Sequence, residues 1–136
     1  MISIDTNIIV RYLIKDDEIQ AQLAIELLKN NRCFILKTVI LETVWVLTSK
    51  QGYALARNIV VNRITHLLKL PTVIIEDLNN VILALHWYQQ GMDFADALHL
   101  ASSSHTKQFI TFDKRMVNKA TAININHLVS LLITSN

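Results

Sequence analysis

The first ten residues, MISIDTNIIV (1–10), set a carboxylate between two apolar runs. Ile2 and Ile4 alternate as the buried side of a short strand does, and Ile8, Ile9 and Val10 resume burial almost at once. An aspartate in that position is costly unless it reaches water or is neutralised. Asp5 can cap the helix that follows through its side-chain oxygen. It can also stand at the carboxyl end of a strand, where open α/β sheets gather their ligands. The rest of the chain weighs these two uses.

Working outward, a strand over 2–4 leads into a short helix over 7–14. Asp16 and Asp17 then open a helix to about Asn30, with Ile19, Leu23 and Leu27 on one stripe. CFILK (33–37) is a second strand, short and apolar as buried parallel strands are. Thr38 N-caps a helix through about Lys50, and Gly52 follows its end. Ala56, Ile59, Val60, Ile64 and Leu67 keep a helical period until Pro71, and TVII (72–75) forms a third strand. Asp77 caps a helix whose Leu78, Val81, Ile82 and Leu85 face inward, with Gly91 at its end. DFADALHLASSS (93–104) is another helix, FITF (109–112) a fourth strand and TAINI (121–125) a fifth; a last helix lies around 128–133. Strands alternating with helices imply an α/β fold whose parallel sheet is covered on both faces.

A length of 136 residues suits one domain, 1–136, with a substantial core. Half the residues are hydrophobic, with only two glycines and one proline, which excludes a disordered chain or two domains on a flexible linker. No apolar run reaches the roughly eighteen residues of a membrane span. No basic region precedes an apolar N-terminal stretch as in a signal peptide. The expectation is a cytoplasmic protein without membrane contact. The single cysteine, Cys33, reads as a core residue on the second strand. A net charge of +2 decides little, but Lys107, Lys114, Arg115 and Lys119 crowd into one late segment.

Several carboxylates fall near strand ends. Asp5 follows the first strand and Asp113 the fourth. Glu42 lies in TVILETVWVL (38–47), in the first turns of the helix after the second strand, with apolar neighbours nearly all round. Asp93 and Asp96 are three apart at a helix start and can share a face. Each has a purely structural use: Asp93, with Asp96 at the third helical position, resembles a capping box, Asp113 can cap KRMVNKA (114–120), and Glu42 gains from a helix dipole. Taken together these uses explain less, because converging carboxylates raise one another's pKa values. A bound cation removes that repulsion. Oxygen donors without a paired His motif or nearby Cys favour Mg²⁺ or Mn²⁺ over zinc.

IDTNIIVRYL (4–13), ETVWVL (42–47), DFADALHLA (93–101) and FITFDKRM (109–116), in this order and spacing, resemble PIN-domain ribonucleases. Size and motifs resemble the VapC-type toxins of bacterial toxin–antitoxin pairs. The resemblance implies a three-layer α/β/α sandwich with a central, mainly parallel four- to five-stranded sheet. It maps the family's four-carboxylate site onto Asp5, Glu42, Asp96 and Asp113. Asn7 matches the polar position near the first acid, Thr111 the hydroxyl position before the last, and Asp93 an extra acid seen in some relatives. Also implied are Mg²⁺- or Mn²⁺-dependent RNA cleavage, a homodimer, and a small cognate antitoxin whose C-terminal segment lies across the acids.

In that reading a metal held by Asp5, Asp96 and Asp113 polarises a phosphoryl oxygen and acidifies a water, and Glu42 orients that water or holds a second ion. An acidic pocket repels RNA, so Lys37, Lys107, Lys114 and Arg115, which flank strand ends, are candidates to hold it. Trp45 fits core packing better than base stacking, Trp87 and Tyr88 fit the core or a dimer face, and His99 fits a packed or partly exposed helix position. A receiver-type domain needs an acidic pair just after strand one, where Asp16 and Asp17 lie too far along. A haloacid-dehalogenase-like phosphatase needs an aspartate where this chain has Asn7. A non-catalytic PIN-like module that binds RNA or protein is the remaining alternative.

Overall fold

The computed structural model describes residues 1–133. The chain divides into two compact units, Met1–Leu78 and a second that begins at Asn79. In the first, β1 (Ile2–Ser3), β2 (Cys33–Ile35) and β3 (Val73–Ile75) form a sheet in that order. Both pairings are parallel, with Ile2 opposite Cys33 and Cys33 opposite Val73. A parallel pair needs a long crossover, and helices supply it. α1 (Thr6–Ile14) and α2 (Glu18–Asn30) link β1 to β2; α3 (Lys37–Thr48) and α4 (Arg57–Leu68) link β2 to β3. Ile9, Ile35, Ile40, Leu47, Ile64 and Leu67 are fully buried in this unit, as is Cys33 on β2.

The second unit carries α5 (Leu78–Gln89, opening at the boundary), α6 (Phe94–Ser102), β4 (Phe109–Thr111), α7 (Lys114–Ala122) and β5 (Val129–Leu131). β4 and β5 pair in parallel, Phe109 opposite Val129. Trp87 and Tyr88 are buried, and Tyr88 meets Phe94 edge-on at 5.7 Å. Among the described residues, seven α-helices alternate with five strands and every strand pairing is parallel. The α/β class is therefore as expected, with the strands bonded as a group of three and a group of two.

Several local expectations fail for identifiable reasons. TAINI is not a strand: α7 runs through Ala122, and Asn124, at φ 65°, turns the chain in the left-handed region that Asn tolerates. The fifth strand falls instead on Val129–Leu131, where a helix was expected. α3 starts one residue before Thr38, with Leu36 at the N-cap, and its orphan donor at Lys37 N–H is satisfied by Glu76 Oε1 at 3.1 Å. Asp77, directly before α5, sits at φ 54° and its carboxylate also pairs with Lys37 at 3.1 Å. On α2 the buried stripe is Ala21, Ala24 and Leu28, while Ile19 is 77 % exposed and Leu23 is also outside. Both stripes have helical spacing, and the alanines let α1 pack closely. Leu78 and Ile82 are likewise exposed, whereas Val81 and Leu85 are buried as expected.

Candidate active site

In the first unit, Asp5 stands between β1 and α1 and is the N-cap of α1. Its Oδ1 accepts from Thr6 N–H at 2.7 Å, and its carbonyl accepts from Ile8 N–H at 3.1 Å. Thr6 is only 4 % exposed, and its hydroxyl donates to Glu42 Oε1. One buried threonine thus ties the acid of α3 to the start of α1. Glu42 itself is an exposed residue, not the apolar-surrounded one its sequence neighbours suggest, because Ile40, Thr43, Val44 and Leu47 take the buried face of α3. Trp45 lies on the outer side with it, 62 % exposed, which overturns the expectation of core packing. Asn7 faces a cavity of about 610 Å³ beside Arg11, Leu23 and Leu27. Lys37 is engaged with Asp77.

In the second unit, Asp93, Asp96 and Asp113 line one cavity of about 380 Å³ together with Gly91, Arg115 and Lys119. Asp93 caps α6, its Oδ1 accepting from Asp96 N–H at 3.0 Å. Asp113 caps α7, accepting from Arg115 and Met116 N–H at 2.9 and 3.2 Å. Its own N–H donates to Thr111 Oγ1 at 2.9 Å, so the hydroxyl before the last acid fixes that acid's backbone. Capping and site use are thus compatible: in Asp5, Asp93 and Asp113 one oxygen serves the helix, and the other makes no hydrogen bond among the described residues. Asp96 is half-buried at the third position of α6, and its carboxylate has no hydrogen-bond partner there.

Burial, then the charges of Asp93 and Asp113, push the Asp96 carboxyl above its ordinary pKa, and His99 pulls it part-way back. A raised folded-state pKa gives Asp96 a favourable contribution at acid pH, lost as pH climbs from the ordinary carboxylate value through the raised one. Metal-free Asp96→Asn should match wild type in thermal stability at acid pH and exceed it at neutral pH. Melting curves in chelator across that range check this, and a less stable Asn variant at neutral pH would contradict it. His99 is exposed and stacks on Phe109 at 6.4 Å.

The PIN domain family matches residues 2–122, nearly the whole chain. The chain belongs to the PIN domain family. No curated protein and no solved structure gives a significant match. PIN domains are generally nucleases that use divalent metal ions, and helices alternating with parallel strands suit a PIN-like fold. A nuclease-type function follows at that level.

Whether these residues suit a metal is a question of donor chemistry. Among the described residues no three His, Cys, Asp or Glu side chains form a ready-made cage. Mg²⁺ seldom needs one: it binds through one or two carboxylates and keeps waters or substrate oxygens in its other positions. Asp96, crowded by Asp93 and Asp113 and without a hydrogen-bond partner among the described residues, presents the hard oxygen donor such an ion takes. The pocket fits a divalent cation.

Of the sequence-predicted cations, Arg115 reaches the acidic cavity of the PIN domain, while Lys107 and Lys114 are exposed and do not line it. One residue was counted in the basic segment but not among the candidates to hold RNA, and one escaped the sequence altogether. Lys119 lines the same cavity, its chain crossing Gly91, where a Cβ would lie 3.2 Å from Nζ; its i,i+4 spacing from Arg115 on α7 was the available signal. Thr6 was hidden because a threonine after an N-cap is unremarkable until its hydroxyl is seen to reach Glu42. No helix among the described residues is long and apolar enough to cross a membrane.

Proposed function

We propose that this PIN domain is a metal-dependent endoribonuclease of the VapC type, the toxin of a type II toxin–antitoxin pair, with Asp5, Glu42, Asp96 and Asp113 as its catalytic acids. The observation that carries the reading is the unpartnered, crowded Asp96 carboxylate in a cavity that also presents cations. Residues 1–136 act as one nuclease domain, a reading supported by a family match that runs through both compact units. The chain works as a cytoplasmic homodimer restrained by a small antitoxin laid across its acids.

The roles follow from the chain's own groups. Asp96 and Asp113 offer oxygens to Mg²⁺ or Mn²⁺, and Asp5 offers the oxygen its helix does not use. When bound, the cation stabilises charge on the phosphoryl group and lowers the pKa of water. Glu42, tethered by Thr6, accepts the proton of the attacking water. Arg115 and Lys119 balance the phosphate's charge, which the carboxylates would otherwise repel. Trp45 and Phe112, 62 % and 76 % exposed, offer faces on which bases can stack.

Expressing the chain alone should arrest growth and leave cellular RNA with discrete new ends, and co-expressing its antitoxin should prevent both. Unhindered growth with intact RNA, at confirmed levels of folded protein, would sink the toxin assignment.

A further inference from the structure

A second charged cavity, of about 240 Å³, lies in the first unit and is lined by Tyr12, Leu13, Lys15, Asn62, Arg63 and His66. No carboxylate among the described residues lines it. Tyr12 and His66 stack with rings 5.8 Å apart and 12° from parallel, and their polar ends meet at 2.9 Å. Lys15 Nζ lies 5.3 Å from the Tyr12 ring centre, a cation–π contact. Arg63 and His66 are three apart on α4 and share a face with Asn62.

Two features bear on these cations, which unlike Lys29 and Arg32 meet in one cavity with the Tyr12–His66 pair. The first is the absence of a counter-charge, which Lys29 and Arg32 share among the described residues. Arg11 pairs with Asp16 and Lys37 with Asp77, whereas Lys15, Arg63 and His66 have no carboxylate partner among the described residues. The acid adjoining Lys15 in sequence, Asp16, is drawn away by Arg11 at 3.0 Å and Tyr53 at 2.9 Å. The second is strain. Lys15 ends α1 at φ 61°, where glycine is the comfortable residue. A lysine held there needs a reason. The dipole of α1 accounts for a cation at its end, but not for Arg63 and His66 on a different helix.

We infer that this cavity is a phosphate-binding site, separate from the acids, built by Lys15 and Arg63 on a Tyr12–His66 platform. Its volume is below the roughly 300 Å³ of small-molecule pockets, so it suits a single phosphate group better than a whole nucleotide. The two sources of that chemistry are a phosphodiester of a bound RNA strand and a free nucleotide. The strand is favoured by size and, resting on the nuclease reading, by position: Lys15 lies about 14 Å along α1 from Thr6, which would let one strand engage both regions.

The test is binding in chelator, where no cleavage occurs. Fluorescence anisotropy of a labelled single-stranded oligoribonucleotide is read across salt concentrations, with AMP and inorganic pyrophosphate as competitors. Lys15→Gln/Arg63→Gln is compared with Lys29→Gln/Arg32→Gln, which removes two exposed cations elsewhere in the unit. The first pair should weaken oligonucleotide binding about tenfold and lower the slope of log affinity against log salt by roughly 1.4, that of two lost single-strand contacts. The control pair should change neither as much. Loss confined to the oligonucleotide identifies a strand phosphodiester; loss confined to AMP and pyrophosphate identifies a free nucleotide. Folded Lys15→Gln/Arg63→Gln protein that binds every probe as its control does would overturn the site. Because cleavage is never read, a failure of the nuclease assignment would leave this result standing.

Discussion

Asp96→Asn is expected to fold normally and lose roughly a thousandfold in RNA cleavage, the upper range for removing one preorganised electrostatic group. Asp93→Ser should retain most of it. The two acids share a helix start and a cavity, but their side chains are committed differently. Asp93 spends one oxygen on the N-cap of α6. Serine ranks with aspartate there, and alanine should cost about 1 kcal/mol of stability. Asp96 has no hydrogen-bond partner for its carboxylate among the described residues and bears the crowding of both neighbours. A paired assay of melting temperature and cleavage separates these roles. If Asp93→Ser is as inactive as Asp96→Asn while equally well folded, Asp93 belongs among the catalytic acids. If Asp96→Asn cleaves normally, the third acid has been misassigned.

Asp5→Asn should abolish both cleavage and growth inhibition with the fold intact. Asparagine is as good an N-cap as aspartate, and its side-chain oxygen can still accept from Thr6 N–H, so only the charge is lost. Thr6→Val is the graded companion. It removes the hydroxyl that holds Glu42 while leaving all four acids in place, and should lower cleavage about ten- to a hundredfold, as loss of an orienting group does. Wild-type cleavage by folded Asp5→Asn protein would refute its role. Wild-type cleavage by Thr6→Val would show that Glu42 needs no tether.

The strands, the helices between them and their parallel pairing were legible because each follows from local pattern: CFI and VII are short apolar runs, and Pro71 and the polar stretches punctuate them. What failed were choices that local pattern leaves open. α2 carries two stripes of helical spacing, and only packing against α1 selects the alanines. TAINI has the composition of a strand, yet Asn124 turns the chain before one can form. α3 is capped by Glu76, thirty-nine residues from Lys37, which no window around Thr38 can reveal. The placement of Asp5 and Asp113 was legible because each sits at a strand end and begins a helix. Their supports were not: Thr6 and Lys119 matter through contacts at long sequence separation.

The central claim is that these acids cleave RNA through a divalent cation. Its most direct test is cleavage of end-labelled structured RNA by purified wild-type protein as Mn²⁺ or Mg²⁺ is added to chelator-stripped enzyme, with Asp96→Asn prepared in parallel as the control for contaminating nuclease. The account predicts no cleavage without metal, discrete internal cuts that appear as metal is added, and none with Asp96→Asn. RNA that stays whole at saturating metal, or equal cleavage by Asp96→Asn, would contradict it.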